Sequence, residues 1–243
     1  MTTGYIVILA AAGFCAAVLH SIIGFGTSLI MISVLPFVLP NVAWATAITS
    51  LCGLTISSFV SFQTRKHINL KLIWPLFATA SVSLVVGVKV VAYLPDSMIK
   101  RVLGVMLILL SIHLAYFSGK VRIKPTVKNG MLVGIISGLA AGMFSVGGPP
   151  TAAFMINAAK DKNEYRATNS AYFVITGLIS NLARWQSNII SNEVLQSWAI
   201  SIIPIMIGLF LGNRIFKKIN TQFLSILVYI FMGISGAMML IFG

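Results

Sequence analysis

Two stretches, "HSIIGFGTS" (His20 to Ser28) and "MFSVGGPPT" (Met143 to Thr151), hold residues from which an anion site can be built. Glycine lets backbone N–H groups approach a ligand with no side chain in the way. Gly24 and Gly26 offer this in the first stretch, Gly147 and Gly148 in the second. Hydroxyl donors flank them: Ser21, Thr27 and Ser28 in one, Ser145 and Thr151 in the other. Pro149 or Pro150 suits the first turn of a helix, where no N–H is needed. A helix start carries free N–H groups and about half a positive charge, which favours anions. Two such starts, converging from opposite sides, would form one positively biased oxyanion site. The competing reading takes each break as a kink, since Gly and Pro are frequent in membrane helices.

Other polar residues lie close by in sequence. "WATAITS" (Trp44 to Ser50) and "RATNSAY" (Arg166 to Tyr172) supply Thr46, Thr49 and Ser50, then Thr168, Asn169 and Ser170. These either hydrogen-bond a ligand or join helices to one another, as small polar residues do in membranes. Asn169 is the leading ligand candidate. His20, beside the first break, is either a proton-coupling group or a satisfied structural histidine. Arg184 either attracts the anion or snorkels outward, and Lys89 is read the same way. His113 is assigned no role.

The elements that position these residues follow from composition. The chain has 243 residues, of which 58% are hydrophobic and 9% charged, against roughly 25% charged in soluble domains. Apolar runs near 20 residues recur along it, the length of a spanning helix. The expected fold is an all-α polytopic membrane protein. The first apolar run follows no Lys or Arg, so it is read as a membrane helix rather than a secretory signal. A net charge of +13 would suggest nucleic acid in a soluble chain. Here it fits basic cytoplasmic loops, and no nucleic acid is expected. Cys15 and Cys52 lie in apolar runs and read as small core residues.

The chain also repeats. "GVKVVAYLPDSMIKRVLGVMLILLSIHLAYF" aligns without gaps on "GNRIFKKINTQFLSILVYIFMGISGAMMLIF", placing Gly87 on Gly212. Two halves, 1–120 and 121–243, follow. The first is expected to hold segments 5–22, 27–39, 42–62, 71–92 and 97–117. The second holds 130–146, 150–159, 166–187, 194–215 and 221–242. Segments 27–39 and 150–159 are too short to span about 30 Å alone. If both still cross, the halves are inverted, with 13 basic residues on one face and 4 on the other. If both dip and return, the split is 8 to 9. The positive-inside rule favours crossing, with broken short helices at a pseudo-symmetric centre and both termini outside. Paired breaks at matching repeat positions point to a transporter's binding site.

With those residues in place, the chain resembles the TauE/SafE family of sulfite exporters and 4-toluene sulfonate uptake permeases. The resemblance rests on "GFGTSLIMISVLP…WATAITS" and "GMFSVGGPPTAAFMI…RATNSAYFVITG" and covers nearly the whole length. It implies transport of sulfite or an organosulfonate anion across a bacterial cytoplasmic membrane. No Walker A pattern is present, and the four acids, Asp96, Asp161, Glu164 and Glu193, fall in or beside loops. Secondary transport by alternating access is therefore expected, export most directly. The alternatives are a permease for another small organic anion and an anion channel. Neither a cofactor nor a metal nor catalysis is expected. The expected partners are the small anion and the lipid bilayer, with a homodimer left open.

Overall fold

A bilayer offers no water to backbone polar groups, so an apolar chain of this kind closes its hydrogen bonds within helices. The computed structural model describes residues 3–117, 123–215 and 221–242, and among them there is no strand. The elements are α1 (Thr3–Ile23), α2 (Thr27–Val34), α3 (Val42–Thr64), α4 (Leu70–Tyr93) and α5 (Asp96–Phe117). They continue with α6 (Val127–Phe144), α7 (Gly148–Ala158), α8 (Lys162–Gln186), α9 (Asn192–Ile215) and α10 (Thr221–Phe242). Short 3-10 turns follow α2 at Leu35–Phe37 and α3 at Arg65–His67. Lys120, Arg122, Lys217 and Lys218, which enter the charge asymmetry, lie outside the described residues.

Caps set several boundaries. Asn41 accepts a hydrogen bond from Trp44 N at 2.8 Å and starts α3. Thr126 caps α6, which begins at Val127, three residues before the expected 130. Asp161 accepts from the N–H groups of Asn163 (2.8 Å) and Glu164 (2.9 Å), so α8 begins at Lys162 rather than 166. The Glu164 and Asn163 amides hold the Asp161 carboxyl below the usual carboxylate range. By contrast, neither α2 nor α7 has a capping side chain at its start.

Among the described residues, six helices (α1, α3, α4, α5, α6 and α9) are long and apolar enough to cross a membrane. At eight and eleven residues, α2 and α7 are too short. Helix α8 has the length but carries Thr168, Asn169, Ser170, Ser180 and Arg184 into the interior. Large apolar side chains such as Trp74, Leu109, Ile136 and Ile203 face outward. Apolar outside and polar inside is the arrangement expected when lipid is the solvent.

Packing is set by small residues. On α6, Gly134, Gly138 and Gly142 press against the backbone of α4. A Cβ at these positions would lie 2.4 Å from Leu76 O, 2.5 Å from Ala80 O and 2.1 Å from Leu84 O. Each step of four on α6 meets a step of four on α4, so the two run parallel. Such small-residue seams let membrane helices approach closely. Helices α1 and α9 pair in the same way, with Gly208 against Phe14 O and Gly212 against Val18 and Ser21. Gly87 and Gly212, aligned in the sequence, both lie in these seams, Gly87 against Leu139 O and Gly212 against Ser21. Helices α3 and α8 run antiparallel, since Thr46 meets Arg184, Ser50 meets Ser180 and Leu54 meets Gly177. So do α5 and α10, with Gly104 against Gly236 and Ser111 Oγ donating to Tyr229 O. Matching α1–α5 onto α6–α10 turns the α4–α6 pair into α9–α1 and returns α3–α8 and α5–α10 to themselves.

Candidate functional site

Both breaks turn on residues that adopt positive φ. Gly24 has φ 82 and Gly26 φ 141, values that L side chains rarely adopt. At the second break Ser145 is left-handed at φ 61. Its N–H bonds Ala141 O at 2.8 Å, the left-handed αL helix end, and Val146 N bonds Ala140 O at 3.2 Å. A non-glycine residue in this region costs roughly 1–2 kcal/mol. The side chain gives reason for serine: Ser145 Oγ donates to Thr46 O at 2.8 Å and accepts from Arg184 Nη2 at 3.1 Å.

The two breaks meet. A Cβ on Gly148 would lie 2.9 Å from Phe25 Cβ, and the Ser28 hydroxyl donates to the Ser145 carbonyl. Beside the junction lies a cavity of about 80 Å³, several times the about 10–15 Å³ that one water needs on this measure. From the first break it is lined by His20, Gly26, Thr27 and Ser28. From the second come Ser145, Gly147, Gly148 and Pro149. Thr49, Ser57, Thr176 and Ser180 add hydroxyl-bearing wall, while Phe25, Leu29, Leu54 and Phe173 add apolar wall.

The remaining expected residues stand elsewhere. The Ser21 hydroxyl donates to Ala17 O at 2.9 Å, inside its own helix. Thr151 Oγ1 donates back to Gly148 O (2.9 Å) and Gly147 O (3.1 Å). Gly24, Asn169 and Arg184 lie behind the cavity wall. Asn169 Nδ2 donates to Gly24 O at 3.0 Å, and Tyr165 Oη donates to Ile23 O at 3.4 Å. Arg184 does not snorkel. It is 1% exposed, with Nη2 donating to Gly142 O (2.9 Å) and Ala141 O (3.2 Å). Its Nη1 donates to Ser180 Oγ, and its Nε reaches Thr46 Oγ1 at 3.5 Å.

These contacts share an electrostatic purpose. Helices α1 and α6 both end at the cavity, and a helix C-terminus carries about half a negative charge. Left bare, those ends would repel an anion. Helix α8 covers both, Asn169 at the first break and Arg184 at the second. No carboxylate bonds Arg184; among the described residues the ion pair is Lys100–Asp96 at 3.2 Å, away from the site. A buried cation with only dipoles for partners leaves the region positively biased. No group of three His, Cys, Asp or Glu that could hold a metal occurs among the described residues.

The two helix starts differ. Pro149 and Pro150 occupy the second and third positions of α7 and donate nothing, so its first turn keeps little beyond the Gly148 N–H. Helix α2 starts uncapped at Thr27, with the N–H groups of Thr27, Ser28 and Leu29 ahead of its first intrahelical bond, from Ile30 N to Gly26 O. The first break is the richer donor. Thr49 and Ser50, named from the sequence as possible ligand donors, line the cavity, whereas sequence reading missed Ser57. Its signal was the stripe Thr46, Thr49, Ser50, Gly53, Ser57, at helical spacing of three and four. Thr176, Ser180 and Arg184 repeat it on α8 at steps of four.

A family model described as "Sulfite exporter TauE/SafE" matches residues 9–239. A probable membrane transporter protein of Methanocaldococcus jannaschii is 26% identical over 259 residues, covering 96% of this chain and 95% of that protein. A probable sulfite/organosulfonate exporter TauE of Cupriavidus necator is 27% identical over 233 residues, covering 91% of this chain and 88% of that protein. No solved structure matches.

Proposed function

The chain belongs to the sulfite exporter TauE/SafE family of membrane transporters, and from that premise we propose that it is a secondary transporter exporting sulfite or a small organosulfonate. The observation that carries this is the meeting of the two breaks at one cavity, with both negative helix ends covered by α8. The uncapped start of α2 and the hydroxyls of Thr49 and Ser57 face the oxyanion. Phe25, Leu54 and Phe173 suit the carbon part of an organosulfonate. Inverted repeats are supported by the antiparallel pairing of the equivalent helices α3 with α8 and α5 with α10. Alternating access then exposes the cavity to each side in turn. The charge asymmetry supports both termini outside a bacterial cytoplasmic membrane. An inside-negative potential favours anion export by about 2.3 kcal/mol per charge per 100 mV, so no carboxylate relay is required.

Flux in proteoliposomes tests this. Saturable sulfite flux with counterflow is expected, at least tenfold above sulfate and chloride, with sulfoacetate also carried. Gly148→Leu is expected to abolish it, because the added side chain collides with Phe25. Non-saturable chloride flux would make the protein a channel. Unchanged sulfite flux in both Gly148→Leu and Asn169→Ala would remove the site.

A further inference from the structure

We infer that His20 is a substrate-binding residue, which donates Nε2–H to the bound oxyanion beside the start of α2, its tautomer fixed by Thr27. This rests on the cavity being the anion site.

His20 is 3% exposed and lines the cavity. Its Nδ1 and Thr27 Oγ1 share a hydrogen bond at 3.0 Å, while its Nε2 is buried without a partner. Two proton arrangements are open to the pair. If Nδ1–H donates to Thr27, the Thr27 hydroxyl needs a second acceptor and the Nε2 lone pair is left bare. That leaves two groups unsatisfied in a buried site. If the Thr27 hydroxyl donates to Nδ1, the proton sits on Nε2 and one group remains, a donor without an acceptor. Buried polar groups without partners are costly, so the second arrangement wins and is completed by an anion.

The placement agrees. Thr27 is the first residue of α2, so the hydroxyl that orients His20 belongs to the turn whose N–H groups open on the cavity. Thr49 Oγ1, 1% exposed and on the cavity wall, is also without a partner. Two orphaned donors therefore stand beside an uncapped helix start. Together with that helix start they suit a three-oxygen head, as in sulfite or a sulfonate. This role needs a neutral ring that holds its proton, so His20 binds the anion rather than carrying a proton across.

The test is anion binding to the purified full chain in detergent, by calorimetry with sulfite, methanesulfonate, sulfate and acetate, run beside melting temperature and liposome flux. His20→Ala is expected to weaken binding of the preferred oxyanion 10- to 50-fold at an unchanged melting temperature. His20→Gln, which keeps a donor, restores most of it. Thr27→Val loses part of the affinity, and Thr27→Ser restores it. Affinities within twofold of wild type in both His20→Ala and Thr27→Val overturn the inference, and so does a loss that His20→Gln leaves unrepaired. Wild-type binding without flux would sink the transport reading while leaving this comparison intact. A wild type that binds none of the four anions would overturn both.

Discussion

Replacing Arg184 by methionine is expected to cut sulfite flux at least a hundredfold and to lower the melting temperature. The side chain is buried and forks across Gly142 O and Ala141 O at the end of α6, then reaches Ser145, Ser180 and Thr46. Hydrogen bonds from a charged donor contribute about 1.5–3 kcal/mol each. Two of them are enough for a hundredfold effect, since about 1.4 kcal/mol is a factor of ten. Methionine keeps the volume and removes the donors, so the α6 carbonyls turn their negative end on the cavity. Arg184→Gln separates charge from packing. It restores some donors without the cation, so the melting temperature should recover further than the flux. Arg184→Lys keeps the charge but not the planar fork, and an intermediate flux is expected. If Arg184→Gln carries sulfite as well as wild type, the cation has no part in transport.

Gly142→Ala is expected to be the most damaging single-methyl change in the described structure. The new Cβ would lie 2.1 Å from Leu84 O and 2.9 Å from Leu84 C. Both are backbone atoms, so relief requires α4 and α6 to separate. Overpacking of this kind costs about 1–3 kcal/mol or more. For a chain this long, about 3 kcal/mol corresponds to a fall of roughly 10 °C in melting temperature. Gly134→Ala should behave alike, with Thr79 Oγ1 at 2.3 Å and Leu76 O at 2.4 Å in the way. Gly4→Ala is the control, having nothing within 4 Å. Melting in detergent decides the matter. An unshifted Gly142→Ala would mean that α4 and α6 are not in backbone contact.

Much of the fold was legible because lipid narrows the choices. Runs of apolar residues near 20 long can only be helices, and "VGGPP" and "GFG" can only interrupt them. Gly87 and Gly212, aligned in the sequence, each lie close against a neighbouring helix, α6 and α1 respectively. Helix ends were less legible. Asp161 and Thr126 start α8 and α6 several residues early, because a capping side chain outweighs the point where hydropathy rises. The partners of helices were not legible at all. The sequence shows Gly130, Gly134, Gly138 and Gly142 as a small-residue stripe, but not that α4 from the other half fills it.

The site divides along the same line. Glycines at the breaks could be named because backbone conformation is a local matter. The meeting of Gly148 with Phe25 could not, since 123 positions separate them. Arg184 near a segment end reads equally as a snorkelling or a buried cation, and only the carbonyls of Gly142 and Ala141 decide between them. Ser21 and Thr151 looked like ligand donors by type, yet each bonds a carbonyl of its own helix turn, a choice that helical serine and threonine make readily.

The most direct test locates the anion itself. Selenite has the shape and charge of sulfite, and its selenium scatters anomalously. Diffraction at the selenium edge from crystals of the unlabelled protein grown with selenite should show a single strong peak in the cavity. It should lie within hydrogen-bond reach of the Thr27 and Ser28 N–H groups and of His20 Nε2. Selenium at surface lysines with the cavity empty would contradict the account.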